Sequence, residues 1–283
     1  MSQPLIPNAR AAALQAAVHL PEFSVVLQRS LDLFSKGDDL AVRDVVKAIE
    51  QDATTGRALV SIANARPYAR DTLVTSVNQA VGRLGIQRTR NALLGLSVTR
   101  LFKSLQGIPG FQVTRFNAHA LASAILGDLV ARSRPEAGLE WIFVTGLLHD
   151  VGLLLIAAGV PQCLAQVCAQ GSDDYHLVAR EMELLGFDHF ELGAELLARW
   201  GCPSGVLDAV LSCRDLAVVN GPTLSLGAAT KAASMLADAD GVSTILLPHQ
   251  PGLTTQLLSQ LRVPDPTRFM ATFFDELAGM TVG

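Results

Sequence analysis

Aromatic residues are few in this sequence, 5% with only two Trp and two Tyr, and no segment alternates apolar and polar residues with a strand period. Both shortages argue against sheets, and the abundance of Ala, Leu and Val argues for helices. No glycine-rich phosphate loop is present. Gly82-Arg83-Leu84-Gly85 has neither the spacing nor a preceding strand, which excludes a P-loop NTPase. No serine stands in a nucleophile elbow. The four cysteines, Cys163, Cys168, Cys202 and Cys213, form no Cys-x-x-Cys pair, so the usual zinc spacing is missing. Met1 to Arg10 lacks the apolar stretch of a signal peptide, and the expected setting is a cytoplasm with reduced thiols. Charge of one sign is also lacking: a net −4 supplies no global argument for nucleic acid.

What is present is apolar bulk. Of 283 residues 49% are hydrophobic, enough for a large core in one big domain or two abutting ones. The most apolar stretch, Trp141 to Val160, has the length of a membrane span. His149 and Asp150 at its centre would each cost roughly 2.5 kcal/mol or more in a bilayer. No second segment would partner it there, so it is expected to be a buried core helix, and no membrane partner is expected.

Helical spacing covers most of the chain. A short first helix is expected to end at His19-Leu20-Pro21, followed by one over Phe23–Phe34. Asp38 or Asp39 caps a helix over 40–51, and further helices are expected over 55–64 and from Ser76 to Gly85, a C′ glycine. The next is expected over 88–104. Gly107 to Gly110 is the expected subdomain boundary. A long helix follows over 112–134, then the central helix over 138–158 and a short one over 161–169. Ser172 caps a helix to Leu185, Asp188 caps one over 189–200, and Pro203 opens another at N1. Leu224–Ala237, Thr254–Leu261 and Pro266–Leu277 complete the set. The fold class is therefore all-α, a globular multi-helix bundle. The helices toward the C-terminus are expected to complete or cap the core.

Charge is uneven. Between Arg57 and Arg115 nine basic residues stand against one acid, and between Gly171 and Glu195 seven acids stand against one base. These are either solvated faces that attract each other or, for Arg66, Arg70, Arg83, Arg88 and Arg90, a basic face for an anionic ligand, nucleic acid or acidic partner.

The polar residues inside apolar segments carry whatever chemistry there is. His119 shares a helix face with Ala122, Ser123 and Leu126 and so points to the core. His149 and Asp150 interrupt Gly146-Leu147-Leu148-His149-Asp150-Val151-Gly152. A buried ionisable pair must be hydrogen-bonded, charge-paired or metal-bound. His189 opens a helix whose face continues through Leu192, Gly193 and Leu196. His119, His149, Asp150 and His189 suit a borderline divalent ion, or each is a core residue satisfied by one hydrogen bond. The cofactor is either none or one divalent metal ion. His19, His176 and His249 are read as solvated, Asn64 as a helix cap, and Glu183 as a surface partner of Arg180.

The order of these pieces resembles the HDOD domain, the HD-related output domain of bacterial signalling proteins. The matching pieces run from His19-Leu20-Pro21 through Ile49-Glu50-Gln51-Asp52, Ile62-Ala63-Asn64-Ala65, Ser76-Val77-Asn78-Gln79-Ala80-Val81 and Leu84-Gly85. His119, the His149-Asp150 core and Glu181-Met182-Glu183 follow, and then Asp188-His189-Phe190-Glu191-Leu192-Gly193 on to Trp200-Gly201-Cys202-Pro203. The resemblance covers about Val18 to Arg214 and implies a lead-in over 1–17, a domain over 18–214 with an N-terminal helical subdomain over 18–108 and an HD-superfamily-like core over 109–214, and helices over 215–283 that complete or cap that core. A role in signal transduction is implied too, with a response regulator or diguanylate cyclase type of protein, or a nucleotide, as partner. It also implies where the chain departs. Active HD phosphohydrolases carry a lysine soon after the His-Asp pair, whereas Val151-Gly152-Leu153-Leu154 has none. The late aspartate of a catalytic HD set falls near Ser234, with Asp238 and Asp240 close by. Metal-assisted phosphoester hydrolysis needs an open ion position and cationic groups for the phosphoryl oxygens. The expectation is a non-catalytic output module, with a metal-dependent phosphohydrolase as the alternative and a nucleic-acid-associated regulator as the third reading.

Overall fold

Helix ends in this chain are set by short polar side chains and by glycines in the left-handed region. Asp52 accepts hydrogen bonds from the Thr54 and Thr55 amides, Asp188 from Glu191 and Ser225 from Ala228. Gly186 and Gly201 adopt φ of 79° and 75° where two helices stop. The structure, a computed structural model, describes residues 8–16, 42–65, 68–103, 111–135, 138–168, 174–215, 224–244 and 252–281. Fourteen helices and no strand occur among the described residues, so the fold is all-α. The predicted helix over Phe23–Phe34, the Asp38, Asp39 and Ser172 caps, the Gly107–Gly110 break, His19 and His249 lie outside the described residues, as does the side chain of His176.

The chain forms two compact units, Met1–Glu22 with Phe102–Pro266 and Phe23–Leu101 with Thr267–Gly283. The first holds α1 (Ala9–Ala16) and the helices from α5 onward through α13: α5 (Val113–Ser133), α6 (Ile142–Leu148), α7 (Val151–Gly159), α8 (Pro161–Cys168), α9 (Asp174–Leu185), α10 (His189–Arg199), α11 (Ser204–Ser212), α12 (Leu226–Ala239) and α13 (Leu253–Gln260). The second holds α2 (Val42–Glu50), α3 (Ala53–Asn64), nearly all of α4 (Val77–Lys103) and α14 (Pro266–Thr281).

In the second unit Ile49, Leu59, Ile62, Val81, Leu84 and Leu93 form the core. Gly85 takes φ 76° and ψ 166°, so the expected helix end is there, but a new helix resumes at once and α4 reads as one kinked element. Asn64 is not a simple cap. Its amide nitrogen donates to Val74 O at 2.8 Å and its oxygen accepts from Val74 N at 2.9 Å, which ties the connection after α3 back onto that helix.

In the first unit α12 lies along α5, α6 and α11, and α7 lies along α10 and α1. Glycines allow the closest approaches. A Cβ on Gly146 would come 2.8 Å from Ala124 Cα of α5, and one on Gly159 would come 2.6 Å from Ala12 O of α1. The central segment was expected as one helix over 138–158. It is two, α6 and α7, because His149 Nδ1 donates to Gly146 O at 2.8 Å and Asp150 sits at φ −96°, ψ 10°. A side chain thus takes a carbonyl that the helix ladder would otherwise use, and the path turns between Leu148 and Val151. Pro203 likewise stands at the N-cap of α11, one position before the expected N1. Among the described residues Ile142–Gly159 is the segment long and apolar enough to cross a membrane; 89% of it is buried inside the fold, as a core pair.

α1 is fastened by Arg10. Its Nη2 lies 3.0 Å from Glu195 Oε2 and its Nη1 3.6 Å from Glu191 Oε2, with the guanidinium 5.6 Å over the Phe187 ring. Partial burial pushes the Glu195 carboxyl up, but hydrogen bonds from Arg10 and Arg199 outweigh it and hold the group below its ordinary 4.5. A depressed carboxylate contributes stability above its unfolded value and loses it as pH falls through the folded one. Amide-exchange protection of α1 is therefore expected to hold at pH 7 and to weaken below about pH 4.5. Arg10→Ala should remove that pH step; a step of unchanged size in the variant rejects the assignment.

Candidate metal centre

His119 stands in the middle of α5, His149 and Asp150 at the break between α6 and α7, and His189 in the first turn of α10. All are buried, the histidines at 1–2% and Asp150 at 8% exposure. The structure brings three of the four together. One ligand atom from each of His119, His149 and Asp150 lies within 4.8 Å of the others. The two histidine rings are tilted by 49° with centroids 5.4 Å apart.

The hydrogen bonds fix which nitrogen faces the centre. His149 Nδ1 lies 2.8 Å from Gly146 O and His119 Nδ1 2.8 Å from Val242 O. A carbonyl only accepts, so each Nδ1 carries the hydrogen, and in the neutral ring Nε2 is a lone pair. Burial, the largest influence, pushes His149 down to about 4 against the opposing pull of Asp150, so this ring is neutral at pH 7. Its bare Nε2 lies 3.2 Å from Asp150 Oδ1 and has no hydrogen-bond partner. His119 Nε2 lies 3.5 Å from Asp150 Oδ2 and 3.3 Å from Ser234 Oγ. A lone pair pressed against a carboxylate is unfavourable until something positive lies between them. The set of two imidazole nitrogens and one carboxylate, with carbonyls behind both rings, fits a borderline divalent cation.

His189 has a different role. Its Nδ1 and its backbone N donate to Glu181 Oε2 at 2.7 and 2.9 Å. Burial alone would push this ring down, but the Glu181 carboxylate outweighs it and lifts His189 to about 9. Burial pushes the Glu181 carboxyl up in turn, and His189 Nε2 lies 3.7 Å from Asp150 Oδ1.

Of three further participants, Glu181 and Asp238 stand in the sequence pattern without an assigned role, and Lys231 stands outside it. Glu181, 0% exposed, belonged to the resemblance but had no role. Asp238 Oδ1 lies 3.3 Å from His119 Nδ1, behind the ring. Lys231 on α12 is 2% exposed, and its charge is among those that lower His149. The signal was the spacing of Lys231, Ser234 and Asp238 at i, i+3 and i+7 on an otherwise Ala-rich helix face.

Of the arginines read as a basic face, Arg66 lies outside the described residues and Arg70 is exposed. Arg83 donates to Ala63 O, Asn64 Oδ1 and Thr72 O. Arg88 lies 5.6 Å over the Tyr68 ring, and Arg90, 6% exposed, donates to Gln87 Oε1 at 2.8 Å. These three hold their own unit together. Arg180 meets Glu183 at 3.3 Å on the surface.

The model of the HDOD domain family matches residues 20–216. Among solved structures, the chain is similar to an HDOD domain protein of unknown function from Geobacter sulfurreducens, with 22% identity and a TM-score of 0.72, covering 97% of this chain and 93% of that one. It is also similar to a candidate phosphohydrolase from Shewanella amazonensis, with 24% identity and a TM-score of 0.69, covering 95% and 97%. A candidate signal transduction protein from Marinobacter aquaeolei shares 22% identity at a TM-score of 0.68, covering 99% of this chain and 62% of that one. At these identities the likeness is one of fold. An uncharacterized protein of Treponema pallidum is 24% identical over 194 residues; the match spans 68% of this chain and 36% of that protein.

Proposed function

The chain belongs to the HDOD domain family, and on that premise we propose that it is a regulatory output module of signal transduction that acts by binding and not by turnover. Its partner is a signalling protein of the response-regulator or diguanylate cyclase type, or a nucleotide. The observation that carries this reading is the burial of the centre. His119 and His149 are 1–2% exposed, and the Asp150 side chain is 11% exposed. A phosphoester must place its phosphorus beside the ion and the attacking water, and donors this enclosed support a structural node instead. His119 Nε2, His149 Nε2 and Asp150 would hold a divalent ion, and the charge it supplies would relieve the acceptor–acceptor contact between His149 and Asp150.

The test is a pair of measurements on the full chain. Hydrolysis of a broad panel of nucleotides and phosphoesters, with Mn²⁺ supplied, is expected to match that of His149→Ala. Turnover by wild type that His149→Ala abolishes would establish the other reading, a metal-dependent phosphohydrolase, which the His-His-Asp donor set favours. Calorimetric titration with Mn²⁺ or Zn²⁺ is expected to show one site in wild type and none in His149→Ala. The engagement of Arg83, Arg88 and Arg90 inside their own unit supports neither a nucleic-acid surface nor an anion site there.

A further inference from the structure

α1 is held by little. Its buried side chains are two alanines, Ala9 and Ala13, and a helix this short does not sustain itself in water. Arg10 is its one charged residue. The half-exposed guanidinium donates to Glu195 Oε2 at 3.0 Å, lies 3.6 Å from Glu191 Oε2 and stands over the Phe187 ring. What α1 touches is specific, because it lies along α7 and α10. At the last position of α7, a Cβ on Gly159 would fall 2.6 Å from both Ala12 O and Ala13 Cα, so the two backbones meet directly. Asp150 stands at the opposite end of α7 as its N-cap, and His189 opens α10, their side chains 3.7 Å apart. There the two helices also meet backbone on backbone, with a Gly152 Cβ falling 1.8 Å from His189 O. Contacts of this kind have no side chain to absorb a shift, so a change of angle at Gly159 is passed to the first turns. A second path runs along charge. Glu191 meets Arg10 through Oε2 and Arg214 through Oε1, and Arg214 also reaches Asp188, the residue before His189.

We propose that α1 is a detachable strap whose docking sets the spacing of the first turns of α7 and α10, and with it the presentation of Asp150 to His119 and His149. Docked, α1 ties the far end of α7 to the outer edge of α10. Released, it leaves the crossing at Gly152 unbraced. The strap thus governs the centre from outside, without touching any of its three candidate ligands. What concerns an ion rests on the reading of the centre as a cation site: by linkage, the factor by which docking tightens the ion equals the factor by which the ion tightens docking. What concerns α7 and α10 stands without an ion.

The experiment is residue-resolved amide exchange on the full chain, with and without Mn²⁺, beside calorimetric titration with Mn²⁺. The reporters are the amides of Leu153, which donates to Asp150 O, and of His189 and Leu192, which donate to Glu181 Oε2 and Asp188 O. Arg10→Glu turns the latch into a repulsion. Arg199→Glu is the charge-matched control, since Arg199 meets the same Glu195 at 2.8 Å but from within α10. Relative to that control, Arg10→Glu is expected to speed exchange in α1 and at the three reporters about fivefold or more, to leave α5 and α12 unchanged, and to weaken Mn²⁺ by a similar factor. Mn²⁺ is expected to slow α1 exchange in wild type. Faster exchange confined to α1 overturns the proposal, as does an increase spread evenly over every helix, which is plain destabilisation. Freed reporters beside an unchanged Mn²⁺ affinity overturn the strap's hold on the centre. If wild type takes up no Mn²⁺, the cation reading falls and the three reporters alone decide the strap. Should Arg10→Glu fail to fold, Arg10→Gln is read in its place against the same outcomes.

Discussion

Gly152→Ala is expected to destabilise the protein by roughly 4 kcal/mol or more, enough to prevent accumulation of folded chain. Gly152 lies in the first turn of α7, against the start of α10. A Cβ there would fall 1.8 Å from His189 O, 2.7 Å from His189 C and 2.9 Å from Gly193 N. All three neighbours are backbone atoms, so no rotamer change relieves the overlap and the two helices must separate. That separation acts directly on the centre, because Asp150 and His189, whose side chains approach to 3.7 Å, sit on the two helices being forced apart. Gly205→Ala is the matched control. Gly205 lies inside α11, exposed, and a Cβ there meets nothing within 4 Å. Helix propensity alone predicts that change to be neutral or stabilising by up to about 1 kcal/mol. Urea unfolding of both variants decides the matter, with unchanged m-values licensing the comparison. A Gly152→Ala protein as stable as the control would mean that α7 and α10 do not approach as closely as described.

The residues that could be read from sequence are those whose physics is local. The Asp188 cap, the Gly186 and Gly201 stops and the apolar face of the helix carrying His119 each follow from a few neighbours in the chain, and each is present. The family resemblance was legible from the order of such pieces. The break at His149-Asp150 was hidden because hydropathy runs on unchanged through Val151–Gly159, and only a side-chain hydrogen bond to Gly146 O redirects the path. Asn64 and Arg83 looked like a cap and a solvated charge, since nothing nearby in sequence tells that both reach the connection before α4. Lys231 was the hardest. Lysine is rarely buried, and the ring its ammonium lies over, Phe190 on α10, is far away along the chain.

That same long-range matching makes Glu181 the second position where one substitution should have a large effect. Glu181 is 0% exposed on α9, and a single oxygen, Oε2, accepts from both the backbone N and Nδ1 of His189. Glu181→Ala removes the acceptor for a buried imidazolium and for the first amide of α10 together. Breaking one side of a buried ion pair costs about 3 to 5 kcal/mol, because the other charge is left uncompensated. The expected loss for Glu181→Ala is in that range, measured as a shift in urea midpoint at pH 7. Glu181→Gln should lose less, since its amide oxygen still accepts from the His189 amide while the charge alone is gone. The pair can be separated from simple packing by a double-mutant cycle with His189→Phe. Once the imidazolium is absent, removing Glu181 leaves no buried cation stranded, so the double variant should be more stable than the sum of the two single losses predicts. Additive losses would place the stabilisation in cavity formation under α9 and remove the ion pair as the element that fixes His189 at the rim of the centre.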